Sequence, residues 1–487
     1  MGRSMSETSL ATALRNGIAW NTINAIFSQS AGFVIFLVLA RMLEPAVFGA
    51  VALSAVVADF IANDGRYAGM DAILQRGDFD KKSLNAAFIS LSLVALPVAL
   101  LLVMAGPLIA GFENAPLVGY YMPIFGLLLL FTPWLSVMDA LIMRELGFKT
   151  FAKRNMISTL AGGVAGITLA FSPLAIWALP AQRIVSTLAV VVFEFRHTGW
   201  FPGRHTKKGA CREILRRFLP LWMVAAINIS MQRAAVLVFG IRFDGATVGL
   251  FRAADRISES LQNPLVSPLF ALWFPLMSKV RGNLAAEREV FTAIIRTAAF
   301  VTLPAFTGLI VVADDAVALL LPSSYAGVAP ILRAVAITSL MIPIVWFNPI
   351  AMNALGLNRM SLQYSIIVAL TCIGALIVIP TSTPGAAILV MSSPALVYGV
   401  IGNVLLLRRL NLQAKVHYMG LAPAAAAALA MGVVVYFVHA TVMVGMQPSS
   451  RLAISASLGM VIYFGWLTCF SRSWMIERIQ LLRGQGR

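Results

Sequence analysis

Apolar runs of about 20 residues, separated by short polar gaps, repeat along the whole chain. A helix crosses about 30 Å of hydrocarbon in about 20 residues. By that measure fourteen segments qualify, near 17–39, 46–63, 83–105, 118–140, 155–172, 174–195, 217–241, 246–272, 291–313, 327–350, 361–380, 384–407, 418–440 and 452–470. The fifth and sixth are divided only by Ser172-Pro173, which predicts a tight helical hairpin.

The polar gaps carry the topology. With the N-terminus placed in the cytoplasm, 29 of the 37 Lys and Arg residues fall on the cytoplasmic side and three (Arg41, Arg242 and Arg451) on the other. This asymmetry follows the positive-inside rule, and removing one span would scramble it. It predicts an even number of spans with both termini cytoplasmic.

Two weak repeats divide the chain. "RMLEPAVFGA" at 41–50 resembles "RFDGATVGL" at 242–250, and "LIMRELG" at 141–147 matches "IAMNALG" at 350–356. Repeated halves around a central site are a common transporter design. The predicted fold class is an all-α polytopic membrane protein of about 14 transmembrane helices: two pseudo-symmetric six-helix bundles plus two extra C-terminal helices. The predicted divisions are a cytoplasmic segment 1–16, an N-terminal bundle 17–195, a basic cytoplasmic linker 196–216, a C-terminal bundle 217–410, helices 13 and 14 over 411–470, and a basic cytoplasmic tail 471–487.

Composition sharpens this picture. Hydrophobic types make up 59% and charged types 12% of 487 residues, with a mean hydropathy of +0.85. Soluble domains are about a quarter charged, so disorder, a disulfide-rich module and an ordinary soluble enzyme are excluded. The net charge of +17 sits in short gaps rather than in a free basic domain, which points to anionic membrane lipids and not to nucleic acid. Cys211, Cys372 and Cys469 are far apart, and the four histidines show no ligand spacing. Neither a metal nor a cofactor is implied. The first apolar run is too long and polar for a signal-peptide core and reads as a retained first helix.

Charge inside the apolar runs is the candidate chemistry. Such a group costs roughly 2.5–3.5 kcal/mol at a span centre and so faces the protein interior or water. In the eighth segment Arg252, Asp255, Arg256 and Glu259 follow an i, i+3, i+4, i+7 spacing, which gathers them on one helical face. Arg183 lies in the sixth segment and Arg233 in the seventh. Asn21, Asn24 and Ser28 share a face of the first. The candidate binding residues are therefore Arg183, Arg233, Arg252, Asp255, Arg256, Glu259, Asn21 and Asn24. The four arginines exceed the two acids. Guanidinium forks bind phosphate oxygens in a bidentate manner and stay charged, so the surplus suits an anionic head group such as a diphosphate. Two alternatives stay open: an internal salt-bridge ladder on the eighth span, and interhelical glue on the first. Motifs of the form GxxxxGK[ST], GxSxG and HExxH are absent, which argues for a transporter rather than an enzyme.

Several segments carry a resemblance: "LARMLEPAVFGAVAL" at 39–53, "GMDAILQR" at 69–76, "RELGFKTFAKRN" at 144–155, "GLFRAADRI" at 249–257 and "FPLMSKV" at 274–280. In this order they resemble bacterial oligosaccharide-lipid flippases of the Wzx-like type, within the multidrug/oligosaccharidyl-lipid/polysaccharide exporter superfamily. The likeness covers most of 15–410; Arg252 stands where a small polar residue is expected. The resemblance implies two six-helix bundles around a cationic cavity. It also implies translocation of an undecaprenyl-diphosphate-linked oligosaccharide across the bacterial inner membrane, with a glycan polymerase and co-polymerase as further partners. Two other functions compete: a cation-coupled multidrug antiporter, for which Asp59, Asp139 and Asp255 are the acids, and a lipid II flippase of peptidoglycan synthesis.

Overall fold

The computed structural model describes residues 7–59, 65–110, 116–145, 147–203, 205–207 and 209–482, apart from the side chains of 7–19, 21, 57, 110, 224–235, 237, 238, 241, 270–272, 274, 275, 358, 481 and 482. The described chain is built of helices, and no strand occurs among the described residues. It divides into two units, Met1–Gly249 and Leu250–Arg487.

Unit 1 contains α1 (Glu7–Ala40), α2 (Pro45–Asp59), α3 (Arg66–Arg76), α4 (Lys81–Ala110), α5 (Pro116–Leu128), α6 (Thr132–Arg144), α7 (Phe148–Ala170), α8 (Ala178–Thr198) and α9 (Ala210–Arg242). Helix α10 (Gly245–Lys279) begins there and continues into unit 2. Unit 2 adds α11 (Leu284–Leu320), α12 (Val328–Ser339), α13 (Ile342–Val345), α14 (Asn348–Ala354), α15 (Asn358–Val378), α16 (Pro384–Arg409), α17 (Ala414–Met419), α18 (Ala422–Thr441), α19 (Pro448–Phe470) and α20 (Arg472–Leu482).

Among the described residues each of the fourteen predicted segments overlaps a helix, and the protein is a multi-pass membrane protein. Among the described residues nine helices are long and apolar enough to cross a bilayer, or ten if α12 to α14, bent by 42°, form one span. The count of fourteen is thus not reached on apolar length alone. The physical reasons are local. Helix α2 is short, α7 opens on the charged stretch Lys149, Lys153 and Arg154, and α10 carries the four-charge stripe. The bend before α13 coincides with Pro343, whose missing N–H and ring cannot continue the preceding helix. The apolar helices leave large side chains such as Leu108, Leu370 and Val378 exposed, as a lipid-facing surface requires.

Small residues set the closest approaches. A Cβ at Gly162 would stand 2.7 Å from the Gln182 carbonyl oxygen of α8, and one at Gly163 would collide with Ile35 of α1. Neighbouring glycines therefore let α7 press on both helices at once. Ser172 closes the α7–α8 turn, donating to the Leu169 carbonyl at 2.8 Å and accepting from Leu174 N–H at 3.1 Å. The repeat-bearing segments 41–50 and 242–250 also meet: a side chain at Gly49 would run into the Gly245 carbonyl, and one at Gly249 into that of Pro45.

The connection from α8 to α9 is pinned to unit 1. Asn85 of α4 accepts from Gly203 N–H at 2.9 Å and donates to the His205 carbonyl at 3.0 Å. Lys207 pairs with Asp78 at 2.7 Å, and Arg76 with Glu213 of α9 at 3.2 Å.

Candidate functional site

The stripe on α10 resolves into two pairs on one helix. Arg252 Nη1 donates to Asp255 Oδ2 at 2.9 Å, and Arg256 Nη1 lies 3.6 Å from Glu259 Oε2. The four side chains are 27–38% exposed. They are neither buried nor fully solvated, and pairs of this kind stabilise a helix by only about 0.2–0.5 kcal/mol. Each guanidinium carries five N–H donors, more than one carboxylate can occupy.

Arg183 of α8 meets Asp59 of α2 through Nη2 and Oδ1. Among the described candidates, then, Asp59 cancels Arg183 while the stripe is neutral in itself. Arg183 lines a cavity of about 190 Å³ inside unit 1. Arg66 shares that wall, with the hydroxyls of Thr132, Ser158, Ser186 and Thr187, while Phe125, Leu128 and Leu135 supply apolar surface. Both guanidinium groups on this wall are engaged by acids, so what the cavity presents to water or a small polar group is chiefly its hydroxyls.

Behind that wall lies a group that the linear pattern did not reveal. Arg66 of α3 grips Asp139 of α6 with Nε at 2.5 Å and Nη2 at 2.9 Å, and its Nη2 also donates to Glu194 of α8 at 2.6 Å. Arg154 of α7 donates from Nη1 to both carboxylates at 2.5 Å. Its Nε and Nη2 donate to Asn155 Oδ1 at 3.0 and 2.8 Å, and its guanidinium carbon stands 4.2 Å from the Phe151 ring centroid. Both carboxylates are fully buried. Removing such ions from water costs several kcal/mol each, so the group persists because two cations meet two anions across four helices. Arg66 and Arg154 look from the sequence like topology-setting loop charges. The usable signal was Asp139 and Glu194, acids inside apolar runs with cations at the same helix ends.

The other candidates are placed as follows. Asn24 accepts a 3.2 Å hydrogen bond from Ser28 on its own helix. The side chains of Asn21 and Arg233 lie outside the described residues. The structure thus joins Arg252 to Asp255 and Arg256 to Glu259 in unit 2, and describes Arg183 in unit 1. Arg333 of α12 pairs with Asp314 of α11. Among the described residues no three His, Cys, Asp or Glu side chains are grouped to hold a metal.

Residues 38–330, more than half of the chain, match the family described as "Polysaccharide biosynthesis protein". The chain belongs to that family. The matched region contains the unit 1 charge group, its cavity and the α10 stripe. Among curated relatives, the chain is 24% identical over 373 residues to the succinoglycan biosynthesis transport protein ExoT of Rhizobium meliloti, covering 76% of this chain and 75% of that protein. It is 22% identical to the lipopolysaccharide biosynthesis protein WzxC of Escherichia coli, covering 72% and 71%. It is also 22% identical to the teichuronic acid biosynthesis protein TuaB of Bacillus subtilis, covering 93% and 95%. Two solved structures share the fold. The lipid II flippase MurJ in an inward closed conformation superposes with a TM-score of 0.75 at 16% identity, over 94% of this chain and all of that one. An inward-facing multidrug resistance MATE family transporter gives 0.58 at 16% identity, over 79% and 94%.

Proposed function

We propose that the protein is a flippase that carries an undecaprenyl-diphosphate-linked oligosaccharide across the bacterial inner membrane by alternating access, with both termini cytoplasmic, for assembly of an exopolysaccharide or lipopolysaccharide. Relatives named for succinoglycan transport and for lipopolysaccharide and teichuronic acid biosynthesis support the cargo class. The observation that carries the reading at the level of residues is the half-exposed stripe on α10. Arg252 and Arg256 are each held by one acid on their own helix, with N–H donors left for diphosphate oxygens. Asp255 and Glu259 fix the two forks without burying them. Arg183 and Arg233 are the further cations for the same cargo, and Asn21 and Asn24 its polar contacts.

The antiporter reading needs carboxylates available to cations. Asp59, Asp139 and Asp255 are all engaged by arginine, which favours the flippase. A lipid II flippase would use the same cationic chemistry.

The test is glycan export in a strain lacking the chromosomal gene. The double variant Arg252→Ala, Arg256→Ala is expected to insert at wild-type levels and to lose export at least about tenfold, as two charge-assisted contacts predict. Full export by the inserted double variant would falsify the binding role. Rescue of a strain depleted of its lipid II flippase would reassign the cargo.

A further inference from the structure

At one end of unit 2, helices α11, α17 and α20 enclose cations that the transport reading does not use. The guanidinium of Arg296 packs flat against Gly420, where any Cβ would collide with it. Trp474 Nε1 donates to the Gly420 carbonyl at 3.1 Å. Arg478, only 1% exposed, donates from Nη1 to the Ala293 carbonyl at 3.1 Å, and its guanidinium carbon lies 5.9 Å from the Trp474 ring centroid. His417, 2% exposed, stacks on Phe291 with centroids 5.6 Å apart.

These groups are under-satisfied in a consistent way. Arg296 Nε, Arg478 Nε and both ring nitrogens of His417 are buried without a hydrogen-bond partner. Burial and the neighbouring Arg296 push the His417 imidazole down to about 4, so it is neutral near pH 7. The acid that pairs with Arg478, Glu477, is itself 59% exposed. Buried donors with no acceptor are costly, and here two of them belong to guanidinium groups, with a neutral imidazole beside them, so the missing partner is an acceptor of negative charge. Water could accept these hydrogen bonds but would leave one positive charge over, since Glu477 offsets only one of the two guanidinium groups.

The surroundings say what kind of anion fits. Arg408 and Arg409 close α16, Arg288 of α11 donates to the adjacent Leu410 carbonyl, and Arg472 opens α20; on the topology proposed above this end is cytoplasmic, where anionic head groups concentrate. Val416, Met419 and Phe470 are exposed there, which offers apolar surface beside the cations. A free phosphate has no use for that surface, whereas a phospholipid has both parts.

We propose that Arg296, His417 and Arg478 form a binding site for the phosphate of an anionic phospholipid, with its acyl chains along Val416, Met419 and Phe470. The lipid ties the C-terminal helix α20 to α11 and α17. This site is independent of the cargo and of the α10 stripe.

Native mass spectrometry of the full-length protein, titrated with dioleoyl phosphatidylglycerol, dioleoyl phosphatidylcholine or sodium phosphate, tests it. One phosphatidylglycerol is expected to bind, at least about tenfold more tightly than phosphatidylcholine. Arg296→Gln should weaken it about tenfold or more, while Lys415→Gln and Arg472→Gln, exposed at the same end, should change it by no more than about twofold. If Arg478→Gln fails to fold, His417→Phe keeps the stack on Phe291, removes both nitrogens and should show the same loss. Equal losses from the exposed lysine and arginine variants would reduce the effect to diffuse surface attraction and overturn the site. So would unchanged binding in the Arg296 and His417 variants, the absence of any phosphatidylglycerol preference, or sodium phosphate occupying the site as tightly as the lipid.

Discussion

Two places in this protein set two arginines against two acids, and the outcomes differ. In unit 1, Arg66 and Arg154 share Asp139 and Glu194 across α3, α6, α7 and α8, with the carboxylates sealed from solvent. On α10, Arg252 and Arg256 pair with Asp255 and Glu259 along a single helix, with about a third of each side chain exposed. The first arrangement fixes helices to one another and has little donor capacity to spare. The second pairs along its own helix and leaves the guanidinium groups of Arg252 and Arg256 within reach of water. Charge count alone does not separate a structural tie from a binding surface; what separates them is whether the pairs cross between helices and whether water reaches them.

The largest expected effect comes from breaking the tie. Asp139→Ala leaves Arg66 and Arg154 buried against one carboxylate, and breaking a buried pair in this manner costs about 3–5 kcal/mol. Thermal unfolding of the purified protein in detergent should show a large loss of stability, with Arg154→Ala similar. A small loss would mean that water already reaches the group, and the contrast with α10 would collapse.

How much of this was legible beforehand follows the same division. Spacing within one helix is written in the sequence, so the faces of Arg252, Asp255, Arg256 and Glu259 could be read from their numbers, as could the hairpin at Ser172. Pairing between helices is not written there. Asp139 stood out as an acid in an apolar run, but its partners come from positions 66 and 154, beside polar gaps where arginine is expected to face solvent. The pair Arg183–Asp59 shows the same limit: each was visible alone, and only the packed helices bring them together. The segment after 470 reads as a basic tail from its charge. It forms α20, which docks through Trp474 and Arg478, four residues apart and so on one helical face, a cue that charge counting hides.

A smaller effect is expected at the stripe. Asp255→Asn removes the partner of Arg252, but that guanidinium is 34% exposed and reaches water. Exposed or half-exposed pairs are worth about 0–1 kcal/mol, so the same unfolding measurement should move little. The two variants belong side by side. If Asp255→Asn destabilises as strongly as Asp139→Ala, the stripe is a second structural seam, and the binding assignment to α10 loses its basis.

The smallest effect lies at a third pairing, outside the helices long and apolar enough to cross a bilayer, which calibrates the other two. Asp78, between α3 and α4, accepts from Lys207 at 2.7 Å and from Ser83 at 2.9 Å. These contacts, Lys207 first, hold its carboxyl well below the usual range. A depressed folded-state pKa stabilises the fold above the unfolded value of about 4 and loses that contribution as pH falls through the folded value. Stability measured from pH 7 downward should therefore include a slight acid-side decline that Asp78→Asn removes, with no difference between the two proteins at the acid extreme beyond the lost hydrogen bonds. High salt should erase the same difference at pH 7, because an exposed pair is screened. The sealed group around Asp139 should keep its effect in that salt, since buried pairs are screened far less. Equal salt sensitivity at both places would place Asp139 in contact with bulk water and remove the distinction between tie and surface.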